Sequence, residues 1–128
     1  MNELNYASLE ASKKLAEAGI VLETDCIWVK WYSDNYPQGE WRLMYKALIQ
    51  VEEFTEQYPA PCFTEVWREL PATIEIDGET YNLCCHKIGG VNCAEYVSDL
   101  PETVGSVYGV NMADNLIELL VWVKGAGK

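Results

Sequence analysis

Basic side chains are scarce in this sequence, and their scarcity limits what the protein can bind. Nine Lys and Arg residues face 20 Asp and Glu residues, which gives a formal net charge of -11 at pH 7. Residues 51–128 alone carry 13 acidic and 4 basic residues, a net charge of -9. Because this charge repels phosphate backbones and anionic lipids, we expect no direct binding to nucleic acid or to a membrane. The acidic half is expected to aid solubility, with docking of a basic partner as the alternative.

The sequence also lacks the marks of the commonest membrane, secreted and enzyme classes. Its longest strongly apolar run, residues 116–123, is far shorter than the roughly 20 residues of a membrane span, and no signal-peptide pattern is visible. Five cysteines, an odd number, in a chain that can fold without cross-links indicate a reducing, cytoplasmic environment. The Walker A, GxGxxG, GxSxG and HExxH patterns of common nucleotide-binding proteins and hydrolases are absent.

What the sequence does contain is enough apolar material for a packed core. Hydrophobic residues make up 49% of the 128 positions, with five Trp, eight Tyr and two Phe. This composition is unlike that of a disordered segment, and the length suits one domain over residues 1–128.

Apolar periodicity and turn signals predict an α+β fold. An antiparallel sheet is expected from a hairpin over residues 26–48 and a meander over residues 72–97, packed with three helices over residues 8–18, 61–70 and 111–124. Ser8 and Asn111 are predicted helix caps, and Gly19 is a predicted helix stop. Residues 33–40 are expected to form a long polar hairpin tip, and residues 100–110 a connector. The last helix is apolar nearly all round, so it should be deeply buried or cover a second copy in a homo-oligomer.

Two segments resemble a group of small uncharacterised bacteriophage and prophage proteins. They are Tyr-Pro-Ala-Pro at residues 58–61 followed by Thr-Glu-Val-Trp-Arg-Glu-Leu-Pro at residues 64–71, and the terminal stretch at residues 111–122. Proteins of this group also carry an N-terminal helix with a lysine-leucine pair. The resemblance implies a phage or mobile-element origin and brings no activity to any residue.

Cys84, Cys85, His86 and Cys93 are the one group of sulfur and imidazole side chains that could hold a metal. Neighbours along a strand point to opposite faces, so at most Cys84, His86 and one cross-strand partner share a side. Paired zinc-ligand spacing is missing, and we expect buried free cysteines with no metal and no cofactor. Cys84 and His86 are expected to be too far apart for a direct hydrogen bond, so no catalytic residue is assigned.

Aromatic residues concentrate around the predicted hairpin, in greater number than one sheet face is expected to bury. Core packing should account for most of them, and the candidate binding residues are Trp31, Tyr32, Tyr36 and Trp41. We therefore expect a non-enzymatic, phage-type accessory protein that binds a host or phage protein through an aromatic surface with acidic surroundings. Inhibition of that partner is one form that this function could take.

Two alternatives remain open. One is a small-molecule or nucleotide-binding protein with a Trp- and Tyr-lined pocket between the sheet and the final helix. The other is a small hydrolase that uses Cys84, His86 or the carboxylates of Glu75, Asp77 and Glu79, although these acidic groups are better explained as a solvated turn.

Overall fold

A computed structural model describes residues 5–100 and 102–126, and the secondary structure follows most of the predicted pattern. The helices are α1 Leu9–Glu17, α2 Phe63–Trp67 and α3 Met112–Ala126; the strands are β1 Cys26–Ser33, β2 Tyr36–Tyr45, β3 Gln57–Ala60, β4 Thr73–Ile76, β5 Glu79–Ile88, β6 Val91–Ser98 and β7 Thr103–Gly109. The α+β class is confirmed. The strands divide into two antiparallel sheets, of order β2-β1-β3 and β4-β5-β6-β7.

The predicted ends of α1 and the predicted start of α3 are confirmed by local contacts, whereas α3 continues to Ala126, two residues past its predicted end. The Ser8 side chain accepts a hydrogen bond from the Ala11 amide at 3.2 Å, and Gly19 follows the helix with φ of +73°. Asn111 Oδ1 likewise accepts from the Asp114 amide at 3.2 Å. These side chains bond to amides that have no partner within the helix, which fixes where each helix begins.

α2 is shorter than predicted and is oriented differently. The buried Glu65 carboxylate accepts hydrogen bonds from the Cys62 amide at 2.9 Å and from the Asp25 amide at 3.0 Å, so it ties the helix start to the β1 side of the molecule. Val66 is buried as expected. The spacing of Phe63, Val66 and Trp67 predicts a single apolar face, but Phe63 and Trp67 are exposed and stack on each other with 5.5 Å between ring centroids.

The sequence missed two strands, β3 and β7, and it predicted a long hairpin tip where β2 begins. β3 pairs with β1, and β7 pairs with β6 over residues that were expected to form a connector. Ser33 pairs with Tyr36, so Asp34 and Asn35 make a two-residue turn and Tyr36 opens β2 instead of lying in a long tip. Two short 3-10 segments, Lys46–Leu48 and Val51–Glu53, then lead from β2 to β3.

The main core lies between α3 and the four-stranded sheet. Leu116, Ile117, Leu119 and Leu120 are fully buried in it, together with Tyr96 of β6. α1 and α2 cover the other sides of α3, so the chain itself covers the apolar surface that could have required a second copy. No helix in the described residues has both the length and the hydropathy to cross a membrane.

The three-stranded sheet has a smaller core of its own. Cys26, Leu43 and Ala60 are buried there, with Tyr6 and Trp28 packed against them. Trp28 Nε1 donates to the carbonyl of Ala7 at 2.9 Å, which fastens this sheet to the segment that precedes α1. The outer part of the sheet, away from this core, carries the predicted binding residues.

Candidate functional site

The outer part of the β1–β2 hairpin, residues 30–42, is called the hairpin end below. β3 pairs with β1 only from Cys26 to Val29, so Trp31 to Ser33 pair with β2 alone. The hairpin end therefore has an open edge on the β1 side as well as on the β2 side. An edge of this kind is free to meet another molecule through backbone and side chains.

The four predicted binding residues lie on the hairpin end but not on one face. Trp41 pairs with Lys30, and Trp31 pairs with Glu40, which puts the two indole rings on opposite faces of the sheet. Lys30 Nζ lies 5.9 Å from the Trp41 ring centroid and 6.0 Å from that of Tyr32, so it bridges those two rings. Tyr36, beside the turn, is 46% exposed, and Tyr32 is 55% exposed.

Cations hold the two indole rings in place. Lys13 of α1 lies 5.4 Å from the Trp41 centroid, and Tyr58 packs on the same ring at 5.6 Å. On the other face, Arg42 lies 5.3 Å from the Trp31 centroid and Phe54 lies 5.6 Å from it. Both rings are half-buried. Trp31 and Trp41 therefore contribute mainly to packing, while Tyr32 and Tyr36 remain available for contact.

Glutamate side chains neutralise Lys30 and Arg42, and one of them also holds the Tyr32 hydroxyl. Lys30 Nζ lies 3.7 Å from Glu56 Oε2, and Arg42 lies 3.0 Å from Glu40 Oε2. The Tyr32 hydroxyl donates to Glu56 at 2.7 Å, and this hydrogen bond raises the pKa of Tyr32. An exposed ring whose hydroxyl is anchored loses little conformational freedom when it meets a partner.

A cavity of about 300 Å³ opens beside the hairpin end. Its walls are Lys30, Trp31, Tyr32, Glu53, Phe54 and Thr55. The expected aromatic pocket was located between the sheet and the final helix, and that location is wrong, because Leu116, Leu119 and Leu120 fill the space there. The aromatic cavity belongs to the three-stranded sheet instead.

A second group of side chains lies on the face of the four-stranded sheet that points away from α3. Cross-strand pairing of His86 with Cys93 and of Cys84 with Glu95 brings these four residues together, and they are called the outer cluster below. Cys85 packs against the main core on the opposite face, as the alternation along the strand predicted. Cys93 is fully buried and Glu95 is only 6% exposed.

Short distances connect the members of the outer cluster. Cys84 Sγ lies 3.7 Å from His86 Nδ1, within hydrogen-bonding distance for sulfur, so the prediction that these side chains are too far apart for a direct hydrogen bond is wrong. His86 Nε2 lies 3.4 Å from Glu95 Oε2, and Ser106 Oγ of β7 donates to Glu95 Oε1 at 2.8 Å. Sequence reasoning missed both Glu95 and Ser106.

A bulge in β7 positions Ser106. Ala94 pairs with Val107 and Tyr96 with Val104, so β7 has one extra residue opposite Glu95. Gly105 supplies the left-handed backbone for the bulge, with φ of +64°, and lies against the Trp122 ring of α3. The packing of α3 thus determines where the Ser106 hydroxyl meets the Glu95 carboxylate.

Two thiols of the β5–β6 pair, Cys93 in the outer cluster and Cys85 on the opposite face, differ in their chemistry from an activated nucleophile. Burial raises the pKa of Cys93, the negative charge of Glu95 raises it further, and burial raises the pKa of Cys85 to about 11. Both thiols are protonated at neutral pH and are poor nucleophiles in that state. The outer cluster has the side chains to hold a cation, and the hairpin end can form contacts with a partner. Comparison of this chain with protein-family models, with curated proteins and with solved structures finds no match.

Proposed function

We propose that this chain is a phage-type accessory protein without enzymatic activity that holds a host or phage protein at the hairpin end. The observation that carries the proposal is the exposure of Tyr32 and Tyr36 on a hairpin whose other aromatic rings are fixed by cations and by neighbouring rings. Tyrosine offers a large contact area with few rotatable bonds, and it is enriched among the residues that dominate binding energy.

The charges around the two tyrosines favour a basic partner. Glu56 and Glu40 neutralise Lys30 and Arg42. Asp34, Glu52 and Glu53 are exposed nearby and take part in no ion pair among the described residues. Lys or Arg side chains of a partner can pair with these carboxylates and lie over the exposed tyrosine rings. Covering a basic surface of a host or phage protein in this way is also how an inhibitor would act.

The cavity beside Phe54 supports one second candidate, the binding of a small molecule. Its volume of about 300 Å³ is at the lower end of the range for ligand sites, and Trp31, Tyr32 and Phe54 supply aromatic walls. This candidate depends on Phe54, whereas protein binding depends on Tyr36, which does not line the cavity. Variants of these two residues therefore separate the two functions.

The test is capture of partners from host and phage-infected lysates by immobilised wild-type protein and by Tyr36→Ala. Tyr108→Ala is the matched control, because Tyr108 is also an exposed tyrosine, at 59%, but belongs to the other sheet. We expect wild type and Tyr108→Ala to retain the same basic protein and Tyr36→Ala to retain roughly tenfold less of it. Retention should weaken as salt is raised, because exposed charges contribute to it.

Stability measurements keep this result interpretable. Unfolding of Tyr36→Ala should stay within about 0.5 kcal/mol of wild type, as is usual at an exposed position. Equal capture by wild type and Tyr36→Ala, or equal losses in Tyr36→Ala and Tyr108→Ala, would exclude the hairpin end as the binding surface. Normal capture by Tyr36→Ala together with a ligand-dependent melting shift that Phe54→Ala abolishes would favour the small-molecule function.

A further inference from the structure

We propose that the outer cluster is a binding site for a transition-metal ion of the Zn²⁺ type. His86 Nε2, Cys93 Sγ and Glu95 Oε2 are the three protein ligands, and the fourth coordination position is open to water or to an incoming ligand. One ligand atom from each of these three residues lies within 4.8 Å of the others. The sequence predicted no metal here, because Cys84 and Cys85 point to opposite faces of a strand and the cysteines lack the paired spacing of zinc ligands.

The distances suit tetrahedral coordination. Bonds of about 2.0–2.3 Å from zinc to nitrogen, oxygen and sulfur put neighbouring ligand atoms roughly 3.3–3.8 Å apart. His86 Nε2 and Glu95 Oε2 already lie 3.4 Å apart. The remaining separations, all within 4.8 Å, exceed the tetrahedral range by at most about 1 Å, which small side-chain rotations can close. The backbone of the β5–β6 pair does not have to move.

The ligand types select the metal. Imidazole, thiolate and carboxylate together are the donors of Zn²⁺ sites, whereas Ca²⁺ and Mg²⁺ require oxygen ligands. Cys93 would bind as the thiolate and release its proton to solvent when the metal enters. Three protein ligands with one open position are typical of zinc sites that bind water or a substrate, in contrast to the four protein ligands of purely structural sites. His86 is partly exposed, while Cys93 and Glu95 lie beneath it, so the open position faces the solvent side of the sheet.

Two further side chains hold the ligands in the orientation that a metal needs. Ser106 Oγ donates to Glu95 Oε1 at 2.8 Å, which leaves Oε2 for the ion. Cys84 Sγ lies 3.7 Å from His86 Nδ1, so the Nδ1–H group can donate a hydrogen bond to the sulfur in the tautomer that leaves the Nε2 lone pair free. Outer partners of this kind commonly orient metal-binding His and carboxylate groups.

The same residues also resemble a nucleophilic relay that runs from Cys84 through His86 to Glu95. That arrangement gives Cys93 no role, although Cys93 is the buried thiol next to the carboxylate. It also requires Cys84 as the reactive atom, with a sulfur–nitrogen distance of 3.7 Å. The metal site uses Cys93 directly, and Cys84 only orients the imidazole. Substitution of the two cysteines therefore distinguishes the alternatives.

The experiment is a titration of the chelator-stripped, reduced protein with Co²⁺, followed by absorbance and by competition with Zn²⁺. Thiolate ligation produces a sulfur-to-cobalt charge-transfer band. We expect this band to saturate at one ion per chain in wild type and in Cys85→Ser, the matched control on the opposite face of the same strand. The band should be lost in Cys93→Ser. His86→Ala and Glu95→Gln should weaken binding at least 100-fold, and Cys84→Ser should keep the band with about 10- to 100-fold weaker binding.

Each variant is also checked for folding by circular dichroism and by thermal unfolding without metal. Cys93→Ser and Glu95→Gln are both nearly isosteric, so if one of them unfolds the other still reports on the site. Failure of wild type to bind Co²⁺ stoichiometrically, or survival of the band in Cys93→Ser, would overturn the proposal. Rapid alkylation of Cys84 without any cobalt band would point to the relay instead. Tyr36→Ala should bind Co²⁺ like wild type, so failure at the hairpin end and failure at this site can be told apart.

Discussion

Replacement of Gly105 by alanine tests whether packing on α3 fixes the bulge beside Glu95. The added methyl carbon would lie 2.8 Å from two ring carbons of Trp122 and 3.1 Å from Leu119 Cδ1. The backbone at Gly105 has a φ of +64°, and this left-handed conformation costs a residue with a side chain about 1–2 kcal/mol. Forcing a methyl group into packed surroundings adds about 1–3 kcal/mol. We therefore expect Gly105→Ala to lower the free energy of unfolding by about 2–5 kcal/mol.

Gly78→Ala is the matched control, because Gly78 also has a left-handed backbone, with φ of +81°, but its added methyl would meet no atom within 4 Å. Only the conformational part, about 1–2 kcal/mol, should appear there. Denaturant unfolding of both variants measures the difference. A Trp122→Ala background removes the two closest contacts and leaves only Leu119 Cδ1 at 3.1 Å, so the effect of Gly105→Ala should fall toward that of Gly78→Ala. Equal effects of the two substitutions in the wild-type background would refute the role assigned to Trp122.

Two further predictions concern the main core. Leu120→Ala should lower the free energy of unfolding by about 2–5 kcal/mol, because Leu120 is fully buried. Leu100→Ala, at an exposed leucine, should change it by less than about 0.5 kcal/mol. Equal effects of the two substitutions in chemical denaturation would mean that α3 is not the centre of the core. Burial raises the pKa of Tyr96 to about 12, above its unfolded value near 10. The neutral Tyr96 side chain therefore stabilises the folded state fully below pH 10. As pH rises from 10 to 12 the free energy of unfolding should fall by about 2–3 kcal/mol, because the unfolded chain ionises first. Tyr96→Phe removes the hydrogen bond to the Pro71 carbonyl and should be less stable at pH 8, yet should lose less stability between pH 9 and pH 12; an unchanged alkaline loss would contradict the assignment.

Local signals in the sequence predicted the starts of α1 and α3 and the end of α1 correctly. Ser8, Gly19 and Asn111 act over three or four residues, and the side-chain and backbone geometry that they require is nearly independent of the rest of the chain. β3 and β7 were missed for the opposite reason. Gln57–Ala60 contains a proline and becomes a strand by pairing with β1, and Thr103–Gly109 contains two glycines and requires β6 as a template.

The outer cluster could have been predicted further than it was. Gly89 and Gly90 form a two-residue turn, and that turn sets Ile88 opposite Val91. Counting back from this pair gives His86 opposite Cys93 and Cys84 opposite Glu95. Ser106 could not be found in this way, because the bulge at Gly105 shifts the register by one residue and depends on the position of Trp122 in the folded protein.

The two proposed surfaces lie on different sheets and depend on different interactions. In the hairpin end, cations hold the partly exposed indole rings in place, as Lys13 of α1 does for Trp41. The outer cluster depends on the β5–β6 register and on the Gly105 bulge, which packs against Trp122 of α3. A disturbance at Gly105 therefore reaches Ser106 and Glu95 directly, while it reaches Tyr36 only if the whole chain unfolds. Under conditions where Gly105→Ala stays folded, its Co²⁺ affinity should fall while its capture of a partner protein is unchanged, because the bulge and the hairpin end belong to different sheets.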